Sequence, residues 1–142
     1  MAARSGLTLH ATTVATGGRG LVILGPGGSG KSALALQLMA CGAALVADDT
    51  TRLEATTEGL LATAAPATRG LIEARGVGIL RAPTAPGATV ELAVDLGETE
   101  TERLPPQRTI SFLGREVPLI LRSNAPHFAA AVWQCLKAGR HA

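Results

Sequence analysis

Residues 21–32, Leu-Val-Ile-Leu-Gly-Pro-Gly-Gly-Ser-Gly-Lys-Ser, constrain this chain more than any other stretch. Four apolar residues run straight into Gly25. The loop then follows the phosphate-binding pattern through Pro26, Gly27, Gly28, Ser29, Gly30, Lys31 and Ser32. Glycines let the backbone take positive φ, so that successive N–H groups turn inward around phosphate oxygens. In such a loop Lys31 neutralises the terminal phosphates and the Ser32 hydroxyl ligates Mg²⁺. Residues 33–39 are good helix formers, so a helix opens at the phosphates and adds the positive end of its dipole. A chance glycine-rich turn would not bring both flanks. The stretch predicts strand, loop and helix around a nucleoside triphosphate.

At 142 residues the chain fits one domain, residues 1–142, with room for a real core. With 17 Gly, 8 Pro, two Phe, one Trp and no Tyr, that core must come from Leu, Val, Ile and Ala in short elements. The net charge of +2 is mild, the basic residues are scattered, and few aromatics could stack on bases. Nucleic acid is therefore not indicated as a partner. Cys41 and Cys135 have no paired spacing and read as free thiols of a reducing compartment. No apolar run approaches the ~18 residues of a membrane helix. Residues 1–6 lack the apolar centre of a signal peptide. The expectation is a cytoplasmic protein with no membrane partner.

Along the chain, residues 7–15 read as one strand, and residues 16–20 as a turn into the strand 21–24, giving a hairpin. The helix should reach about Ala40, with Gly42 ending it. Residues 44–47 form a short apolar strand that ends in Asp48 and Asp49. Carboxylates at that place suit the metal and γ-phosphate of a nucleotide enzyme, and adjacent residues face opposite ways, so the two should not share one job. Residues 50–63 read as a hairpin turning at 56–59, and 66–70 as a loop. Residues 71–80 carry Glu73 and Arg75, Gly76 and Gly78, and read as a strand with a bulge. Residues 81–88 form a mobile loop. Residues 89–96 alternate as a half-buried strand, and 97–102 form an acidic, solvated turn. A tight hairpin turns at Gly114-Arg115. A final helix has Asn124 as cap, Pro126 in its first turn, Phe128, Val132 and Leu136 as its stripe, and Gly139 as its stop.

One βα unit followed by hairpins argues against a doubly wound sheet, which needs helical crossovers throughout. The fold class expected is α/β with mixed and antiparallel sheets, a helix after the phosphate loop and a helix at the C-terminus.

Three segments, 25–32, Leu45-Val-Ala-Asp-Asp49 and Ile72-Glu-Ala-Arg-Gly-Val-Gly78, resemble in order and spacing the C-terminal catalytic domain of HPr kinase/phosphorylase. Members of that family phosphorylate a serine of HPr, the phosphocarrier of the sugar phosphotransferase system, and many remove it again by phosphorolysis. Their fold is similar to that of phosphoenolpyruvate carboxykinases. The resemblance implies ATP and Mg²⁺ as cofactors, HPr as partner and a homo-oligomer, hexameric in long members. It implies that residues 25–32 hold the triphosphate, and that Ser32 and Glu73 serve the metal. Asp49, with Asp48 beside it, would accept the serine proton, and His10 would lie beside the aspartates. Arg103 would stabilise charge on the transferring phosphoryl. Ala33 departs from the glutamate usual after the loop serine. Residues 121–126 keep only traces of the family segment tied to dephosphorylation, so the resemblance carries kinase activity further than phosphorolysis.

The alternatives are a phosphotransferase acting on a small molecule and a non-catalytic nucleotide-binding module. No small-substrate motif or helical lid is visible for the first. The retained lysine, serine, aspartates, Glu73 and Arg103 speak against the second.

Overall fold

The computed structural model describes residues 6–142; the signal-peptide reading of the N-terminus falls mainly on residues outside that range. Eleven strands and two α-helices follow in the order β1 (Gly6–Leu9), β2 (Ala11–Thr16), β3 (Arg19–Leu24), α1 (Lys31–Cys41), β4 (Ala44–Ala47), β5 (Thr51–Thr56), β6 (Gly59–Thr63), β7 (Leu71–Ala74), β8 (Gly78–Arg81), β9 (Ala88–Thr99), β10 (Arg108–Phe112), β11 (Arg115–Arg122) and α2 (Phe128–Ala138). The α/β class with mixed sheets and these two helices is what the structure shows.

The large sheet runs β1-β5-β6-β9-β3-β2-β4, and β11 joins β9 with β10 outside it. Among the ladders between described strands, β3 and β11 lie parallel to β9 and the rest are antiparallel; Leu45 of β4 also makes a single parallel bridge with Thr84. Because β1 leads directly into β2, the path of pairings returns to the ribbon it started from, and the sheet curls around its inner face. That face holds small side chains, Ala11, Ala15, Ala62, Ala88 and Ala93, with Val22, Leu53 and Phe112 among them. A tightly curled sheet has little interior volume, which alanine fits. The outer face carries the bulkier Leu21, Ile23, Leu92 and Val94, packed under both helices. Helix α1 presents Leu34, Ala35 and Leu38, a stripe at helical spacing, and α2 presents Val132 and Leu136.

Several local expectations change for identifiable reasons. The run 7–15 is two strands, because the chain bends at His10, leaves β5 and takes up β3 and β4. Strand β9 is buried on both faces at 92–94. A register shift between Gly20 and Leu21, opposite Val90 and Leu92, sends Val90 to the inner cluster while Leu92, Val94 and Leu96 go to the outer one. Residues 71–81 form a separate two-stranded hairpin, not one bulged strand. Gly76 at φ 85° reverses the chain, and the Val77 N–H closes the turn on Ala74 O at 2.9 Å. Residues 83–85 form no free loop. They line the edge of β4, with Leu45 donating to Pro83 O at 2.8 Å and accepting from Ala85 N–H at 3.0 Å. Asn124 does not cap α2. Residues 125–128 first make a separate turn, and His127 occupies the cap position without a side-chain bond.

The expected acidic turn at 97–102 is also different. Strand β9 continues to Thr99, and Glu100 is clamped by Arg108 through Nε–Oε1 at 2.9 Å and Nη2–Oε2 at 3.0 Å. The guanidinium, helped by the backbone N–H groups of Glu102 and Thr101, holds the Glu100 carboxyl at about 2 instead of the ordinary 4.5, against an opposing effect of desolvation. The folded state therefore binds this proton less readily than the unfolded chain. The stabilisation is complete above about pH 4.5 and is lost as pH falls from there through about 2. Arg108→Ala should return the Glu100 carboxyl titration towards its ordinary value, followed by carboxyl carbon NMR. An unchanged low midpoint in the variant would show that the arginine is not the cause.

Candidate active site

The phosphate loop leaves β3 at Gly25 and enters α1 at Lys31. Gly25, Gly28 and Gly30 all have positive φ, at 148°, 79° and 99°. Gly25 has no room for a side chain, since a Cβ there would come within 2.4 Å of Ser29 Oγ. At Gly27 and Gly28, by contrast, a Cβ would meet open space. Helix α1 has no side-chain cap, which leaves the first N–H groups to a ligand. Lys31 is 6% exposed, and its ammonium donates to Gly25 O at 2.8 Å and Pro26 O at 3.3 Å. Ser29 Oγ is buried with no hydrogen-bond partner among the described residues. A cradle of positive-φ glycines, a lysine held by carbonyls and an orphaned hydroxyl fits a polyphosphate.

The two aspartates lie just beyond β4 and have separate environments. Asp48 Oδ1 accepts from Ser32 Oγ at 2.7 Å and Thr12 Oγ1 at 3.0 Å, and its Oδ2 accepts from the Glu73 N–H at 3.0 Å. Asp49 faces outward. Its Oδ1 lies 2.9 Å from His10 Nε2, with both side chains more than half exposed, at 68% and 61%. The Asp49 backbone takes φ 65°, and Thr50 N–H bonds back to Asp48 O at 2.7 Å. This three-residue reversal turns Asp49 away from the direction of Asp48. Thr12 Oγ1 fixes it by accepting the Asp49 N–H at 3.1 Å.

Sheet register explains the meeting of His10 and Asp49. Leu9 lies opposite Thr51 and Thr13 opposite Ala47. Residues 10–12 and 48–50 therefore face each other across a gap in the ladder. Residues 11 and 12 still pair with β3, but towards residues 48–50 the ladder is open, which leaves room for the His10 and Asp49 side chains to meet.

The expected site residues are thus not all brought together. Lys31, Ser32, Asp48, Asp49 and His10 surround one end of the sheet. Glu73 reaches Asp48 through its main chain, not its carboxylate. Among the described residues no three His, Cys, Asp or Glu side chains cluster as a metal cage. The donors suit Mg²⁺ of the kind held by a hydroxyl, one or two carboxylates and phosphate oxygens. Arg103 is exposed and lines a separate cavity of about 250 Å³ with Glu100, Ser123, His127 and Phe128. Thr12, fully buried and in sequence only one more residue of a β-branched strand, holds both aspartates in place. The polar Thr12-Thr13 pair at an otherwise apolar core position is the signal that could have marked it.

A match to the family model "HPr Serine kinase C-terminal domain" covers residues 2–105, which include every site residue named so far. The chain belongs to this family. It is 33% identical over 126 residues to the HPr kinase/phosphorylase of Brevibacillus brevis, spanning 80% of this chain and 40% of that protein. With the HPr kinase/phosphorylase of Aromatoleum aromaticum the identity is 37% over 134 residues, or 84% of this chain and 42% of the other. The chain thus spans about 40% of the length of these HPr kinase/phosphorylases. The structure of the Hpr(Ser) kinase/phosphatase from Coxiella burnetii superposes with a TM-score of 0.77 at 25% identity, covering 92% of this chain and 88% of that one. Among the described residues no helix is long and apolar enough to cross a membrane.

Thr12→Val keeps the shape of this site and removes its hydroxyl. The Asp49 N–H then loses its acceptor and Asp48 one donor. Urea unfolding should show a loss of about 1–3 kcal/mol, and the Asp49 amide resonance should shift. A fully stable variant with an unmoved Asp49 amide would contradict the bracing role of Thr12.

Proposed function

We propose that the chain is an ATP- and Mg²⁺-dependent kinase that phosphorylates a serine of HPr in the cytoplasm. The observation that carries this reading is the exposed His10–Asp49 pair beside the Ser32–Asp48 pair. Phosphoryl transfer asks a protein mainly to position the partners and neutralise equatorial oxygens. The loop N–H groups and Lys31 would grip the polyphosphate. Ser32 and Asp48 would hold Mg²⁺, which supplies charge neutralisation when bound. Asp49 would take the proton of the acceptor serine as its oxygen bonds to the γ-phosphorus and the bond to the β-phosphate oxygen breaks. His10, within hydrogen-bond reach of Asp49, would orient the carboxylate and share that proton.

Asp48 is a poorer base in this reading, because three donors already occupy its oxygens. Glu73 would support Asp48 and the metal from its hairpin. Arg103, placed over a different cavity, remains a proposed contributor of charge that the reading does not require. The names of the relatives include phosphorylase. In phosphorolysis the protonated Asp49 would give its proton to the leaving serine oxygen as an oxygen of inorganic phosphate bonds to the phosphoserine phosphorus and pyrophosphate forms. Assembly into a homo-oligomer belongs to the proposal as well.

Incubation with ATP, Mg²⁺ and HPr should give acid-stable phosphate on a serine. Asp49→Asn should lower kcat by about 10²–10⁴-fold, the usual contribution of a positioned base, and leave ATP affinity within about two-fold. Turnover of small hydroxyl compounds in place of HPr would point to a metabolite kinase, and binding without transfer to a nucleotide sensor. Loss of ATP binding in Asp49→Asn with transfer retained would sink the assignment of the base.

A further inference from the structure

Strand β11 lies beyond the residues matched by the family model, and its last residue, Arg122, reaches the phosphate loop. Its guanidinium donates to Ser29 O through Nη2 and to Leu96 O through Nε, the latter at 3.1 Å. The approach follows from an irregularity in the β9–β11 ladder. Leu121 pairs with Asp95, but Arg122 pairs with Thr99, so residues 96–98 stand out of register. Such a bulge re-aims the side chain beside it. Asp95 is also the β9 partner of Leu24, the last residue of β3 before the loop. The bulge therefore lies next to the root of the loop, and Arg122 is turned towards it. Its own main chain is secured, because the Glu100 N–H donates to Arg122 O at 2.8 Å and Glu100 is clamped by Arg108.

We propose that Arg122 is a positioning residue for the phosphate loop: by holding the Ser29 carbonyl it sets the peptide that presents the Gly30 N–H to the β-phosphate. This rests on the nucleotide-binding part of the function proposed above. The peptide between Ser29 and Gly30 is planar and trans, so its C=O and N–H point in opposite directions. Anchoring the oxygen therefore fixes the hydrogen. Gly30 at φ 99° has no side chain to restrict that peptide otherwise, and among the described residues outside its own stretch of chain the Arg122 guanidinium is the group that comes to 4.0 Å from where its Cβ would be. An arginine suits the task because one planar group reaches two carbonyls at once, Ser29 O and Leu96 O, which a lysine ammonium at the end of a flexible stem does poorly.

The test is equilibrium titration of wild type, Arg122→Met and Arg122→Lys with ATP, ADP and AMP, with thermal unfolding followed alongside. Loss of the anchor should weaken ATP and ADP by about ten-fold or more, the scale of one charge-assisted hydrogen bond, while AMP, which has no β-phosphate, changes by less than about two-fold. Arg122→Lys should lie between Met and wild type, and it carries the comparison if Arg122→Met does not fold. A folded variant with wild-type ATP affinity, or one that loses ATP and AMP equally, would overturn the proposal. Failure of wild type to bind ATP would instead overturn the nucleotide-binding reading on which both proposals stand.

Discussion

The Asp48 carboxylate takes hydrogen bonds from three elements of the molecule at once. It accepts from β2 through Thr12, from α1 through Ser32 and from the β7–β8 hairpin through the Glu73 N–H. Hydrogen bonds to an ionised carboxylate are stronger than neutral ones, about 1.5–3 kcal/mol each. Their larger effect here is geometric. The hairpin pairs with no strand of the main sheet; it is held by the packing of Ile72 and Leu80 in the outer cluster, by the bonds of residues 83–85 to the Leu45 main chain, and at its site-facing end by Asp48. The hydroxyl of Ser32 spends its hydrogen on Asp48 and keeps its lone pairs. A cation could approach those lone pairs without breaking the contact that orients them.

The adjacent residue shows how one backbone angle separates two identical side chains. Had β4 continued through Asp49, alternation would have placed that carboxylate on the opposite face of a regular sheet. The ladder is instead open between the pairs Leu9–Thr51 and Thr13–Ala47. Asp49 enters the left-handed region, which aspartate tolerates better than most residues. The local cost is offset by the Asp49 N–H bond to Thr12 and by the close approach of His10. Backbone strain and an exposed acid therefore occur at the same residue, a combination that a purely structural turn does not need.

Local signals made much of this legible. The loop at 25–32, its helix, the β2–β3, β5–β6 and β10–β11 hairpins and the glycine stops of both helices all follow from residues close together in the chain. What could not be read was every feature set by a distant partner. The break at His10 depends on β1 and β2 choosing different neighbours, and the same β-branched residues would suit an unbroken strand. The face taken by Val90 depends on a bulge against β3. The order within residues 83–85 comes from the Leu45 main chain, because loop composition alone predicts freedom. Around the loop, the motif and the resemblance name Lys31, Ser32, Asp48, Asp49 and His10, which the structure brings near one another. They also name Glu73 and Arg103, of which the first meets Asp48 through its main chain and the second lines another cavity. That the two aspartates differ is expected from strand alternation, but the means was not readable: a turn at Asp49 braced by Thr12, 36 residues from Asp48.

The same reasoning bears on where the phosphate loop obtains its shape. A glycine-rich loop is permissive, so its sequence permits the cradle without selecting it. Selection has to come from contacts that hold particular carbonyls in place. Lys31 holds those of Gly25 and Pro26 from within the loop, and Arg122 holds that of Ser29 from a strand 93 residues away in sequence. Strand β11 can deliver that arginine only because it pairs parallel to β9, which also pairs parallel to β3. All three strands then run towards the same end of the sheet, where β3 gives way to the loop. In an antiparallel arrangement the end of β11 would lie at the far edge, and the loop would lack this anchor. The two parallel ladders in a largely antiparallel sheet are thus the part of the topology that brings Arg122 to the loop.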